Sequence, residues 1–218
     1  MQQHLIKMKS AWLCASWLPA ITAVAVVIAA APGSVFAQGE HDHHMHAMHD
    51  AASTAYTRSV GAYQIPDVNL VDMSGAMVSL RKVLDGDDPI MLNFIYTSCT
   101  AICPVMSATF AGVQDQLGAE SKKVRMVSIS IDPENDTPAK LRAYANKYHA
   151  EPQWKMLTGS AENSIAVQRA FDAFRGDKMN HSPATFIRAG GVNQPWVRLE
   201  GFASAEDIIK EYRQLALR

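Results

Sequence analysis

Residues 90–117, IMLNFIYTSCTAICPVMSATFAGVQDQL, run from an apolar strand through two cysteines into a helix. Ile90, Met91, Leu92, Phe94, Ile95 and Tyr96 form a near-continuous apolar run, the pattern of a strand covered on both faces of a parallel sheet. Thr97 and Ser98 end it. Pro104 then stands where a first helical residue belongs, and Met106, Phe110, Val113 and Leu117 follow as one apolar stripe that Gly118 closes. Cys99 is thereby placed in the loop at the carboxyl end of a central strand. Cys103 falls at the helix start, where unpaired backbone N–H groups and the helix dipole favour a thiolate. Open α/β sheets keep their binding sites at that edge.

Downstream, Val124 to Ile131 (VRMVSISI) is again strand-like and ends in DPENDTP, where Asp136 or Thr137 caps a helix and Pro138 opens it. Leu141, Tyr144 and Tyr148 lie on one side of that helix, and Asp132 and Asp136 read as turn and cap residues. His149 sits at its end, a favourable place in the helix dipole. Trp154 to Leu157 is a short strand, after which Ser160 caps a helix carrying Ile165, Val167, Ala170, Phe171 and Phe174. Lys178 to Ile187, KMNHSPATFI, puts His181 in a loop before a further strand. Trp196 to Leu199 pairs as its hairpin neighbour across Gly190-Gly191, and Glu206 to Leu217 makes a closing helix. Upstream, Ser59 to Leu84 reads as a small β region with a turn at Asp72-Met73-Ser74-Gly75 and then a short helix. The order β-α-β-α-β-α-β-β-α is that of a thioredoxin-like α/β fold, a central mixed sheet flanked by helices with an N-terminal β extension. Right-handed crossovers put the cysteine loop in the middle of the sheet edge.

The chain has 218 residues with 20 basic and 21 acidic side chains, so no charge excess points to nucleic acid. Residues 1–37 are read as a leader: Lys7 and Lys9, the apolar run Ala20 to Ala31, the Pro32-Gly33 break and Val35-Phe36-Ala37 have the order of a cleaved secretory signal. The rival reading is an uncleaved membrane anchor, Ala11 to Ala31. Cys14 precedes the apolar run and does not read as a lipid-modified cysteine. Residues 38–58 form a tail expected to be disordered, in which His41, His43, His44, His46 and His49 alternate with Met45 and Met48. Imidazole accepts several metals, but thioether sulfur favours copper(I), so the mixture leans toward copper. The plainer alternative is a solvated polar tail. Residues 59–218 are the folded domain.

Export leaves Cys99 and Cys103 as an even pair in an oxidising compartment, where a structural disulfide is the ordinary reading. A bridge across three residues closes a very short ring and constrains little of the unfolded chain, so the pair reads better as chemistry. Two thiolates four residues apart can turn toward one soft ion. Copper(I) needs no more than two or three such ligands, and a neutral imidazole from a separate loop supplies the third. That proposal is Cys99, Cys103 and His181. Spacing alone does not bring His181 to the cysteines, and a solvated loop histidine is the alternative.

YTSCTAICPVM at Tyr96 to Met106, SISIDPENDTP at Ser128 to Pro138 and Asn180-His181-Ser182 together resemble the Sco/SenC family of copper-carrying thioredoxin-like proteins. The likeness runs from about Ser59 to Leu217. It implies that Cys99, Cys103 and His181 bind copper(I) and copper(II). It further implies a periplasmic protein, soluble after signal cleavage or tethered to the outer face of the inner membrane. Its partner would be the cytochrome c oxidase copper-site subunit, with another periplasmic copper chaperone as a second. Two departures stand out. Many family members carry an aspartate between the cysteines and another before the histidine, where this chain has Thr100-Ala101-Ile102 and Asn180. Less negative charge weakens the hold on copper(II) more than on copper(I), so a copper(I)-preferring site is expected.

Two functions compete. The first is a metallochaperone, favoured by the C-x-x-x-C spacing, the available histidine and the soft-metal tail. The second is a thiol-disulfide oxidoreductase using Cys99 and Cys103 as a redox pair, favoured by Pro183, which resembles the proline that thioredoxins set opposite their cysteines. A cis Ser182-Pro183 bond would accompany that resemblance. A peroxide-reducing relative is argued against by the second cysteine.

Overall fold

The computed structural model describes residues 56–216. The expected leader and all of the His/Met-rich run lie outside the described residues. Among the described residues eight strands and five α-helices follow one another: β1 (Tyr56–Gly61), β2 (Asn69–Asp72), β3 (Met77–Ser79), α1 (Leu80–Leu84), β4 (Ile90–Ile95), α2 (Ile102–Leu117), β5 (Arg125–Ser130), α3 (Pro138–Lys147), β6 (Trp154–Thr158), α4 (Ala161–Ala170), β7 (Ala184–Arg188), β8 (Trp196–Gly201) and α5 (Ala205–Ala216). They build one mixed sheet in the order β1-β8-β7-β4-β5-β6-β2-β3. β4, β5 and β6 are parallel, whereas β7, β8 and β1 on one side and β2 and β3 on the other run antiparallel to their neighbours.

Every residue of β4 is buried, as its unbroken apolar run requires. Alternate residues serve opposite faces of the sheet. Met91 and Ile95 join Phe110, Val113, Leu141, Trp154, Ile208 and Tyr212 in one core, under α2, α3 and α5. Ile90, Leu92 and Phe94 join Leu70, Leu80, Phe171, Phe186 and Trp196 in the other. Phe94, Phe171 and Phe186 meet edge to face with ring centroids 5.1–6.0 Å apart, a geometry that adds to the burial of their rings. Two covered faces hold the end of β4 rigid, and the cysteine loop starts there.

Two details depart from the sequence reading, and two more resolve alternatives it leaves open. β1 begins at Tyr56, inside the expected tail, and pairs with β8 from Tyr56↔Gly201 to Gly61↔Trp196. α2 starts at Ile102, which makes Pro104 its third residue and leaves Cys103 one turn above Met106 and Ser107 on the buried stripe. Thr137, not Asp136, caps α3, its hydroxyl accepting from the Lys140 N–H. No cis peptide bond occurs among the described residues, so Ser182-Pro183 is trans.

Candidate metal centre

The segment from β4 to α2 reverses tightly. The Cys99 N–H donates to the Tyr96 carbonyl at 3.2 Å, and the Cys103 N–H donates to Cys99 Sγ at 3.3 Å. Tyr96 N–H donates in turn to Cys103 Sγ at 3.4 Å. Both thiols are free. Their surroundings differ. Cys103 is 0% exposed, and burial pushes its thiol well up, with the neighbouring Cys99 sulfur adding to the rise. Cys99 is half-buried. Burial opposes its ionisation, but the Cys103 and Ala101 N–H groups and the Cys103 and Tyr96 side chains outweigh that and hold its thiol below the ordinary value. The helix start therefore activates the cysteine before it, and the expectation of a ready thiolate at Cys103 is corrected: desolvation on the apolar stripe wins over the helix dipole.

Beneath the loop lies a carboxylate whose role goes beyond the turn or cap expected from sequence. Asp136 is fully buried and accepts from the Thr97 N–H, the Thr97 hydroxyl and the Ser130 hydroxyl. Asp132 forms the turn as expected, accepting the Asn135 N–H at its carbonyl, but its side chain also binds Lys178 Nζ at 2.6 Å.

That ion pair anchors the segment bearing the histidine. Lys178–Asn180 is a short 3-10 turn whose first N–H groups are capped by Asp177, and His181 closes it with its N–H on the Lys178 carbonyl. β7 then runs antiparallel to β4, with Asn93 opposite Thr185. This pairing carries His181 to the end of β4, which spacing alone did not reveal. His181 is 6% exposed, and its buried Nε2 has no hydrogen-bond partner among the described residues. Burial, helped by Arg175, keeps the imidazole below its usual pKa. A neutral ring with a bare, buried nitrogen is poised as a metal ligand.

Tyr96, Cys99, Thr100, Ala101, Ile102, Lys178, Met179 and His181 line a cleft of about 90 Å³, and Lys178 and His181 also border a second hollow of about 510 Å³ with Asp132, Gln168 and Arg175. The Tyr96 phenol, pushed up to about 12 by burial and then by Cys99, stays protonated at neutral pH and donates to Met179 Sδ at 3.6 Å. The structure thus sets Cys99 beside Cys103 and gives Cys99 and His181 a shared cleft. Among the described residues, no three His, Cys, Asp or Glu side chains are closed to metal-holding distances. The donor set nevertheless fits a soft ion: one activated thiol, one reserve thiol and one imidazole with a free lone pair.

Comparison with known proteins places these residues in a family context. Residues 59–216 match the family model described as SCO1/SenC. The chain is 36% identical over 104 residues to the SCO1 protein homolog of Bacillus subtilis, covering 47% of this chain and 53% of that protein, about half its length. It is 29% identical over 170 residues to Protein SenC of Rhodobacter capsulatus, covering 78% and 72%. Among solved structures, BsSco, presented as a member of the Sco family of cytochrome c oxidase assembly proteins with a disulfide switch, superposes with a TM-score of 0.62 at 27% identity, covering 74% of this chain and 98% of that one. Arabidopsis thaliana ScoI with copper bound superposes with a TM-score of 0.56 at 26% identity, covering 72% and 99%.

Proposed function

The chain belongs to the SCO1/SenC family, and on that premise we propose that it is a copper metallochaperone of cytochrome c oxidase assembly. It holds the ion between the sulfurs of Cys99 and Cys103 and His181 Nε2 and passes it to the oxidase copper-site subunit. The observation that carries this reading is that His181, whose buried Nε2 has no hydrogen-bond partner among the described residues, lines the same cleft as Cys99. Copper is the cargo. Cys99 supplies the first thiolate, and Cys103 joins by giving up its proton as the ion displaces it. His181 completes the set without adding charge.

The oxidation-state preference follows from where the carboxylates are. Asp136 is occupied by Thr97 and Ser130, and Asp132 by Lys178 and Asn135. With Ala101 and Asn180 at the positions many relatives fill with aspartate, no free carboxylate among the described residues lines the cleft, and copper(I) is favoured over copper(II). The tail residues His41, His43, His44, Met45, His46, Met48 and His49 act as an accessory site that raises local copper concentration. The protein works in the periplasm, released by signal cleavage or held by residues 11–31. Among the described residues no helix is long and apolar enough to cross a membrane.

Copper(I) titration of the reduced protein lacking Glu40 to Asp50 tests the site. One tightly bound equivalent in the parent, lost in Cys99→Ala, Cys103→Ala and His181→Ala, is the expected result. Binding indifferent to His181 would overturn it.

One observation favours a second reading as a thiol-disulfide reductase that prepares the oxidase copper-site cysteines. An accessible, low-pKa Cys99 beside a buried Cys103 is the asymmetry of nucleophile and resolving thiol. The Cys99 thiolate would attack a partner disulfide, forming a mixed disulfide. Cys103 would then attack the Cys99 sulfur, leaving the partner as a dithiol and this pair oxidised. Rapid exchange with an oxidised copper-site peptide, unaffected by His181→Ala, would select this reading.

A further inference from the structure

Met179 is 71% exposed, yet its sulfur is held in a definite place. The 3-10 turn that carries it is pinned twice, by the Asp177 carboxylate accepting the Met179 N–H at 2.9 Å and by the Lys178–Asp132 pair at 2.6 Å. The side chain belongs to neither core cluster, so apolar burial does not explain its position. Instead its Sδ accepts from the Tyr96 phenol at 3.6 Å. Tyr96, Cys99 and Met179 line one cleft of about 90 Å³.

We propose that the Met179 thioether is a further copper(I) ligand, receiving the ion at the cleft mouth together with Cys99 before it settles on Cys103 and His181. The inference rests on the copper reading above. The chemistry of each donor matches its depth. A thioether carries no charge and no proton at neutral pH, so it can stand in water without being masked, and it favours copper(I) over hard divalent ions. Cys99 is half-buried, while Cys103 and His181 are both buried. Copper arriving from solvent meets the exposed thioether first, the half-buried Cys99 sulfur next and the buried pair last. Departure toward a partner follows the same order in reverse. In KMNHSPATFI the sequence signal for this role is a soft sulfur two residues before the histidine.

The test uses the reduced full-length protein with its methionine methyl groups isotopically labelled, titrated with copper(I) alone and followed by NMR. Met179→Leu removes and so assigns one methyl signal. Met77, 74% exposed on edge strand β3, serves as a control that should not move. The expected result is a shift of the Met179 methyl with the first equivalent, in step with thiolate-to-copper absorption, and loss of that shift in Cys99→Ser. Met179→Leu should also surrender copper to a copper(I) chelator at lower chelator concentration than the parent. Thiolate absorption that grows while the Met179 signal stays still, or a shift without any change in the competition, overturns the Met179 role and leaves the three-ligand reading standing. Absence of thiolate-to-copper absorption overturns both.

Discussion

Asp136 and Thr97 stand 39 residues apart in the chain and in direct contact in the fold: the buried carboxylate accepts the Thr97 hydroxyl at 2.6 Å and the Thr97 N–H at 3.2 Å. With the Ser130 hydroxyl on its other oxygen, Asp136 ties the end of β4 to the end of β5 beneath the cysteine loop. Asp136→Ala leaves those buried donors without an acceptor and should cost about 1–3 kcal/mol in urea unfolding. Asp136→Asn should lose less. Equal stability of parent and alanine variant would show that the contact does not hold the loop.

Alkylation should separate the two thiols. Cys99, held below the ordinary thiol range by surrounding N–H groups and side chains against the effect of burial, should react first with iodoacetamide. Its rate should reach half-maximum at a lower pH than a free thiol. Cys103, pushed up by burial, should stay protected in native Cys99→Ser and react only on unfolding. Mass spectrometry of partly alkylated protein reads both, and equal labelling of the pair would contradict the asymmetry.

Stability should depend on pH through Asp132 and Lys178. Burial raises the Asp132 pKa, but the Lys178 and Asn135 hydrogen bonds and the Lys178 charge lower it more. The folded value therefore lies below the unfolded one, and the stabilisation is present above the unfolded carboxylate pKa and lost as pH falls through the folded one. The Lys178 pKa is raised, chiefly by its hydrogen bond to Asp132, so its share is present below the unfolded lysine pKa and lost as pH rises through the folded one. Asp132→Asn should be less stable than the parent between those limits and indistinguishable from it in strong acid. Thermal unfolding across the pH range checks this.

Restoring a carboxylate between the cysteines should retune the metal preference. In Ala101→Asp, copper(II) affinity should rise more than copper(I) affinity, because the doubly charged ion gains more from one added negative charge. Competition titrations in each oxidation state provide the comparison. Equal gains for both ions would remove charge as the explanation.

The run from β4 into α2 was legible because all six β4 residues are buried and Met106, Phe110, Val113 and Leu117 share one buried stripe. The same stripe extends back to Cys103, three residues before Met106. Reading it from Met106 onward assigned that cysteine to the dipole instead of to the core. β1 was not legible, since its middle residues are exposed on both faces and only its pairing with β8 makes it a strand. The approach of His181 to the cleft and of Asp136 to Thr97 likewise depends on strand neighbours far apart in sequence, which no local periodicity encodes.

The antiparallel pairing of β7 with β4 makes the imidazole and the thiols neighbours only in the folded chain, since 78 residues separate Cys103 from His181 in sequence. At this centre an unfolded chain offers the two thiols without the imidazole. Metal captured by the assembled trio therefore draws the conformational equilibrium toward the native state, by an amount that grows with the logarithm of free copper. A protein that has handed over its cargo should melt earlier than one still carrying it. Loading and thermal resistance would thus be two readouts of a single equilibrium.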